Sequence, residues 1–578
     1  MLLNYRAYAK FVTPDLAWPA EQKTPLMIYP KIPLAQSIIQ ICLAKGLTNI
    51  VISPGSRNAP LTIGFANNPK FNCYSIADER CAAFFAMGIA QQTGKPAVVV
   101  CTSGSALLNF YPAFAEAFYS QVPLVVISAD RPPHMIDIGD GQTIRQENVF
   151  QNHSIYNANL TMDASYENEF EINHAINKAY TRKGPVHINA PFEEPLYETT
   201  RKLQVDATIS AFAKVYKTVS VDDMIAFTNI WNAASRKLVI VGVNKPDEID
   251  EEILEALAKD NSVAVLTETT ANLHHPAFIE NIDRIITPFT SRNFLGLQPE
   301  ILITFGGMVV SKRIKSFLRR YKPDHHWHID PLRAYDTYGC LTKHFDANPN
   351  DFFQQFLPFT KKVLSDYKKD FSKVKSARQK RHDKLFSSAP YSDFKVYGKV
   401  IPALPEGCQL HLSNSAAIRY AQLFDIDPSI EVFCNRGTSG IDGSTSTAIG
   451  AAVANQKQTV LITGDIGFLY DSNALWNEYI PDSFKIILVN NGGGGIFRIL
   501  PGHQENKVFN KFFETSHNLT AEHLAKMYGF GYSTASDEAA LNRSLSSFFL
   551  SPGKAILEIF TPEKENDKVL QQYFKELA

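Results

Sequence analysis

Short apolar runs closed by glycine, proline or charged residues recur along the chain, with helix-length stretches between them. Residues 33–48 (PLAQSIIQICLAKGLT) carry apolar positions at helical spacing and end on a glycine stop. Residues 49–52 (NIVI) then predict a strand, closed by Ser53-Pro54-Gly55-Ser56-Arg57. A second strand at 74–76 ends at Asp78-Glu79-Arg80 and leads into a small-residue helix (CAAFFAMGIAQQTG). Strands at 97–101 and 124–127 end at Thr102-Ser103-Gly104-Ser105 and at Ala129-Asp130-Arg131-Pro132-Pro133. Near-continuous apolar runs of this length suit strands buried on both faces. Their alternation with helices predicts an α/β fold with doubly wound parallel sheets.

The last third repeats this plan. Residues 83–109 can be laid over 447–473 with Gly104 falling near Gly464, and the 124–127 strand falls near a run at 486–489. We read two copies of one α/β domain; a chance match of two small-residue helices is the competing explanation. A third α/β unit lies between them, with strands at 238–241, 263–266, 301–304 and 326–329. Its turns VGVNKP (241–246) and TFGG (304–307) lack G-x-G-x-x-G, which favours an architectural role over dinucleotide binding. The expected division is an N-terminal extension (1–32), a first domain (33–200), a linker (201–220), a central domain (221–365), a linker (366–390) and a third domain (391–578). The Lys-, Ser- and Asp-rich stretch 361–384 reads as a solvated helix or linker. Met27, directly before the first periodic segment, is a second candidate start.

Composition narrows the class. At 578 residues the chain is too long for one core. It is 45% hydrophobic and 20% charged with net charge −1, so bulk electrostatics favour neither nucleic acid nor an anionic membrane. Seven scattered cysteines without a C-x-x-C pair predict free thiols in a reducing cytoplasm. No apolar run approaches the roughly 18 residues of a membrane span, and residues 1–26 lack the apolar core of a secretory signal.

The chemistry centres on residues 464–497 (GDIGFLYDSNALWNEYIPDSFKIILVNNGGGGIF). An apolar run at 460–462 stops at Gly464-Asp465, and a second at 486–489 stops at Asn490-Asn491 and four glycines. Both polar tips lie at strand C-termini, the edge where open α/β sheets bind ligands. Asp465 offers a carboxylate and Asn491 an amide carbonyl, hard oxygen donors suited to Mg²⁺. The glycines permit close backbone approach to a ligand. A tight turn plus a helix cap at Asp465 is the plainer reading of either half alone; the two together favour a metal–diphosphate site.

Gly-Asp followed, some two dozen residues later, by Asn-Asn-Gly resembles the thiamin-diphosphate signature. The resemblance implies that Asp465, Asn491 and the Gly493 carbonyl hold Mg²⁺ or Mn²⁺, with Gly464 beside them. The position after Gly-Asp is usually glycine and here is Ile466. Thiamin diphosphate reacts through C2 of its thiazolium ring, whose proton its own aminopyrimidine removes. The superfamily supplies a carboxyl to the pyrimidine ring nitrogen and an apolar wedge that bends the cofactor. Glu79, in a segment resembling the conserved-Glu segment, is the implied carboxyl, with a surface ion pair to Arg80 as its plain alternative. Ile441, in the small polar loop NRGTSGIDGSTSTAIG, is the implied wedge.

The segments ISPGSRNAPL, DERCAAFFAMGIA, CTSGSALLNFYPAFAEA, SADRPP, GQTIRQ, GPVHINAPFEEPLY, NSAAIR, NRGTSGIDGSTSTA and GDIGFLYDSNAL cover nearly the whole chain. Together they resemble the 2-succinyl-5-enolpyruvyl-6-hydroxy-3-cyclohexene-1-carboxylate synthase (MenD) family of menaquinone biosynthesis. That family accepts an apolar residue after Gly-Asp; its usual third Asn is Gly492 here. The resemblance implies a transferase that decarboxylates 2-oxoglutarate and adds the resulting succinyl carbanion to isochorismate in a 1,4 fashion. Both substrates are dicarboxylates, which calls for fixed arginines. Arg57, Arg131, Arg419 and Arg436, with Ser56, Gln142 and Ser415, fall on the family's substrate positions. Lys312-Arg313 matches a basic pair from the central domain, although taken alone it reads as a solvated helix start. Ile496, Phe497 and Leu500 match apolar walls. The first domain is then the pyrimidine-binding copy and the third the diphosphate-binding one. The resemblance implies that they meet across subunits, in a homodimer or homotetramer. An acetolactate synthase-like enzyme or 2-oxoacid decarboxylase is the alternative, and a non-catalytic cofactor-binding protein a second.

Overall fold

The computed structural model describes residues 27–212, 219–499, 502 and 504–578. Most of the expected N-terminal extension, part of the first linker, and Leu500 fall outside these residues.

The first unit contains β1 (Asn49–Ile52), β2 (Asn72–Ser75), β3 (Ala97–Cys101), β4 (Leu124–Asp130), β5 (Tyr156–Asn159) and β6 (Val186–Pro191). All pair in parallel, in the order β2-β1-β3-β4-β6-β5. The central sheet has β7 (Lys237–Val241), β8 (Val263–Thr267), β9 (Ile301–Phe305), β10 (His325–Ile329) and β11 (Lys343–Phe345), ordered β8-β7-β9-β10-β11. The third has β12 (Gln409–Leu412), β13 (Glu431–Phe433), β14 (Thr459–Gly464), β15 (Lys485–Asn490), β16 (Gly531–Ala535) and β17 (Ala555–Phe560). Its order is β13-β12-β14-β15-β17-β16, the first sheet's order repeated. The fold is therefore α/β with three parallel sheets, the first and third of like topology.

Sequence dictates these strands through burial on both faces. Val98, Val99 and Val100, like Val460, Leu461 and Ile462, have no exposed surface. Each such side chain contributes roughly 1.5–3 kcal/mol through burial. Strand ends differ modestly from the periodicity: the expected strand at 74–76 forms as Asn72–Ser75, because its pairing register with Asn49–Ile52 begins at Asn72.

Two small-residue helices join the first and third units. Helix α1 (Glu79–Thr93) starts where the Asp78 side chain accepts from the Cys81 N–H and stops at Gly94, in the left-handed region at φ 65°. In the central unit, α2 (Lys312–Arg320) is capped by Ser311. Helix α3 (Tyr367–Ser388) follows, then α4 (Asp393–Val400), capped by Ser392, and α5 (Ser444–Ala454). Helices α1 and α5 pack so that Phe84 and Phe85 share one apolar cluster with Ala448 and Ile449.

Helix α3, with only three of its residues buried, is the solvated helix that 361–384 allows and fills the stretch 366–390 between the central and third units. It is anchored at both ends. Tyr367 and Phe371 are buried in the central unit's core, and the Tyr367 hydroxyl donates to the Leu297 carbonyl. His382 is buried against the third unit, its Nδ1 2.7 Å from the Tyr573 hydroxyl. The described part of 201–220 is likewise bound, with Thr208 N–H donating to Glu169 and Ser210 N–H to Asn173. In the central unit, the glycine turns are packed on each other. A Cβ on Gly242 would stand 1.9 Å from the Gly307 carbonyl oxygen, and Gly307 N–H donates to the Val243 carbonyl. Close backbone approach accounts for these glycines.

Candidate active site

The tips of β14 and β15 lie side by side, with Gly464 paired to Val489. Asp465 follows β14 directly and is 3% exposed. Its Oδ1 accepts from the Ile466 N–H at 2.7 Å and its Oδ2 from the Gly493 N–H at 2.9 Å. Burial pushes its carboxyl above the usual range, opposed by the Ile466 N–H and by His517. The His517 Nε2 stands 3.4 Å from Oδ2. Because His517 Nδ1 accepts from the Leu519 N–H, a neutral His517 carries its proton on Nε2, facing the carboxylate.

Asn491 sits across from Asp465. Its Nδ2 donates to Asp393 at 3.0 Å, while its Oδ1 is buried without a partner. Gly493 lies at φ 154°, and a Cβ there would meet the Glu514 carbonyl oxygen at 2.8 Å. That carbonyl accepts from the Gly494 N–H at 2.6 Å. Arg498 holds the Glu514 carboxylate with Nε and a second guanidinium nitrogen, fastening the chain beyond residue 504 over the glycine turn.

These residues border a cavity of about 160 Å³. Ser415, Ile441, Gly464, Asp465, Asn491, Gly493, Ile496 and Phe497 all line it, as do Asp393 and Phe513. Among the described residues no cluster of three or more His, Cys, Asp or Glu could hold a metal. The donors here are of another kind: one carboxylate, an orphaned amide oxygen and backbone carbonyls. An unpartnered buried oxygen costs stability unless something satisfies it, and a hard divalent cation does so. The residues fit such an ion.

Glu79 is not among the lining residues. It opens α1, half-buried, and its neighbours reach the third unit elsewhere. Asp78 accepts from the Asn473 Nδ2 at 2.8 Å, and Arg80 donates to the Tyr470 carbonyl. Burial pushes the Glu79 carboxyl up, and the adjacent Asp78 adds to the push.

The arginines form two groups. At the C-terminal edge of the first sheet, Arg57 is buried, donating to the Phe192 carbonyl at 2.9 Å and paired with Glu194 at 3.3 Å. Its guanidinium pKa is lowered by burial and then by Arg131. Arg131 donates to the Gly141 carbonyl, next to Gln142, which is exposed at φ 55°. Ser56 is exposed beside Arg57.

At the third sheet, Arg419 donates to the Ser415 carbonyl at 2.6 Å and Arg436 to the Asn414 Oδ1 at 2.6 Å. Ser415 is held at φ 68°. Burial lowers the Arg419 pKa, and Arg436 lowers it further. The central unit brings α2 to this group, with Lys312 and Arg313 exposed at its start. Glu268 fixes that start, accepting from the Val310 and Ser311 N–H groups at 2.5 and 2.7 Å. Burial pushes its carboxyl up to about 7, against those two N–H groups and Arg436. Burial also pushes up Asp283, which accepts from the Ser311 hydroxyl and faces Arg313 and Arg419.

Comparison with known proteins decides the family. Residues 32–156 match "Thiamine pyrophosphate enzyme, N-terminal TPP binding domain". Residues 213–407 match "Middle domain of thiamine pyrophosphate" and 415–559 match "Thiamine pyrophosphate enzyme, C-terminal TPP binding domain". A 2-succinyl-5-enolpyruvyl-6-hydroxy-3-cyclohexene-1-carboxylate synthase of Flavobacterium johnsoniae is 66% identical over 556 residues, 96% of this chain and all of the relative. The chain belongs to this synthase family. Synthases of the same name from Flavobacterium psychrophilum (64% identical, 96% of this chain and 100% of the relative) and Christiangramia forsetii (52%, 95% and 99%) share it.

Set in the synthase family, several residues of the site had no sequence signal. Asp393, Glu268, Asp283 and His517 meet the site only through the fold. Lys315, one turn into α2, faces Glu268 and Arg436, and burial lowers its pKa. Only the run KRIK, with basic residues three apart on a helix, could have pointed to it.

Proposed function

We propose that this chain decarboxylates 2-oxoglutarate and adds the succinyl unit to isochorismate, giving 2-succinyl-5-enolpyruvyl-6-hydroxy-3-cyclohexene-1-carboxylate for menaquinone biosynthesis. The observation that carries the reading is the cavity at the β14–β15 tips, with Asp465 and the orphaned Asn491 oxygen, in a chain 66% identical to a synthase of that name. Thiamin diphosphate, when bound, supplies the nucleophilic carbon and the electron sink for decarboxylation. Asp465, Asn491 and the Gly493 carbonyl would hold Mg²⁺ or Mn²⁺ for the diphosphate. Ile441 would supply the apolar wedge against the cofactor, and Ile496 and Phe497, which line the same cavity, would exclude water. Glu79, whose carboxyl burial pushes up, would hold a proton toward the pyrimidine ring nitrogen. Arg419, Arg436, Ser415, Lys312 and Arg313 bind one dicarboxylate, and Ser56, Arg57, Arg131 and Gln142 the other.

Glu79 does not line its own chain's cavity, so this assignment requires a homodimer at least, each site closed by the Glu79 of a second copy. The pyrimidine-binding domain is then 33–200, the central domain 221–365 and the diphosphate-binding domain 391–578. A cytoplasmic location is consistent with seven unpaired cysteines, and no helix among the described residues is long and apolar enough to cross a membrane. The test is mass spectrometry of the product from 2-oxoglutarate plus isochorismate with thiamin diphosphate and Mg²⁺. Release of CO₂ without the adduct would overturn the synthase assignment in favour of a decarboxylase.

A further inference from the structure

We propose that Asp393 is a positioning residue for the cation site: it locks the Asn491 amide with its carbonyl oxygen toward the cavity. The inference rests on the reading of Asp465, Asn491 and Gly493 as the cation ligands.

The two ends of an amide are nearly the same size, and only one can serve a cation. What selects the end is the partner of the other. The Asn491 Nδ2 donates to the Asp393 Oδ2 at 3.0 Å, and the Asn491 Oδ1 is left buried and free. Both Asp393 oxygens accept in the structure, Oδ1 from the Thr561 hydroxyl and Oδ2 from the Asn491 NH₂. Rotating the amide would set its oxygen against that carboxylate, two acceptors face to face, and would turn the NH₂ toward the cavity. Asp393 therefore allows one orientation.

Asp393 is itself held. It is 2% exposed, at the first turn of α4, and its N–H donates to the Asn566 Oδ1 at 2.8 Å. Its Oδ1 accepts from the Thr561 hydroxyl at 2.6 Å. The direction of that bond is set in turn, because the Asn566 Nδ2 donates to the Thr561 Oγ1 at 3.4 Å and to the Pro562 carbonyl at 2.9 Å. Thr561 N–H donates to the Asn490 carbonyl, tying the end of β17 to the residue before Asn491. Donor and acceptor roles thus run one way through Asn566, Thr561 and Asp393, and all of them end on the Asn491 amide. A partner of this kind, which orients a ligand without replacing it, is worth about 10–100-fold in metal affinity.

The test uses the full chain and reads the Mn²⁺ concentration giving half-maximal thiamin diphosphate binding, followed by calorimetry. Asp393→Ala should raise that concentration by about 10–100-fold. Asp393→Asn has one oxygen for two donors: Thr561 takes it, and the new NH₂ faces Asn491 and turns that amide, so this variant should be at least as weak as the alanine one. Asp393→Asn/Thr561→Val, which releases the asparagine oxygen to face the Asn491 NH₂, should recover at least about fivefold over the single variant. Asp393→Ala within twofold of the parent would overturn the inference. So would an asparagine variant within twofold of the parent, or a double variant as weak as the single asparagine one, since the carboxylate would then act by its charge or by touching the cation. Asp465→Ala separates the two levels. If it keeps the parent's Mn²⁺ dependence, the cation-site reading itself fails. If it loses that dependence while Asp393→Ala does not, only the positioning role fails.

Discussion

Gly88 of α1 and Gly450 of α5 lie at one helix crossing, each against the other helix's backbone. A Cβ on Gly88 would stand 2.2 Å from the Thr447 carbonyl oxygen, and one on Gly450 would stand 2.0 Å from that of Phe85. Neither neighbour is a side chain that can swing away. The crossing therefore requires glycine twice, and it joins the first and third units through one apolar cluster. We predict that Gly88→Ala and Gly450→Ala each destabilise the protein by about 1–3 kcal/mol or more, as overpacking does. Thermal unfolding of both variants beside the parent checks this; unchanged midpoints would show that the helices part at no cost.

Glu79→Gln should leave cofactor binding near the parent level and cut turnover severely. A neutral amide cannot hold a proton at the pyrimidine nitrogen as a carboxyl does. Exchange of the cofactor C2 proton, followed by NMR, is the direct readout, and exchange at the parent rate would remove Glu79 from this role.

The two arginine groups should separate kinetically. A hydrogen bond to a charged group contributes on the order of 1.5–3 kcal/mol, about a ten- to hundredfold effect. Arg419→Ala should raise the KM for 2-oxoglutarate more than that for isochorismate. Arg57→Ala should weaken isochorismate at least as much as 2-oxoglutarate. Steady-state kinetics with each substrate varied at saturating levels of the other decides. Uniform small changes across the arginine variants would make these side chains ordinary surface charges.

Glu268 gives a pH prediction. Its carboxyl is raised by burial from 4.5 to about 7 in the folded protein. An acid with a raised folded pKa binds more protons folded than unfolded, so its contribution is full below pH 4.5 and is lost as pH rises through 7. The loss is on the order of 3 kcal/mol at most. Glu268→Gln cannot ionise, so between pH 5 and 8 its thermal midpoint should fall less than the parent's. Parallel curves for the two proteins would mean that Glu268 does not change its ionisation between pH 5 and 8.

Much of the scaffold was legible because its strands are apolar on both faces and end on turn residues. Residues 97–101 and 301–304 needed nothing beyond that pattern. Strands β6, β12 and β16 escaped it. His187 in β6 is buried but polar, paired with Ser128 across the sheet. Gln409 and His411 interrupt β12, and β16 is an edge strand reading Gly531-Tyr532-Ser533-Thr534-Ala535. The Asp465 and Asn491 tips were legible because two strand ends carry oxygen donors at a recognisable spacing. Asp393 was not, since it lies 98 positions from Asn491 and meets it only when the start of α4 reaches the residue after β15. In 366–390 the charges show an exposed helix or linker but hide its attachment, because its anchors Tyr367, Phe371 and His382 are few and widely spaced.

Helix α3 acts as a ruler between two units whose sheets are separate. Its 22 residues span about 33 Å at 1.5 Å per residue. One end is fixed in the core that carries α2, the other against Tyr573. Length and phase are then set together. One inserted residue would turn the His382 face about 100° from its partner and lengthen the strut by about 1.5 Å. The central unit could keep Lys312 and Arg313 opposite Arg419 only by breaking one anchorage. A segment without any chemistry of its own would thus tolerate substitution at its many exposed positions and reject insertion between Phe371 and His382.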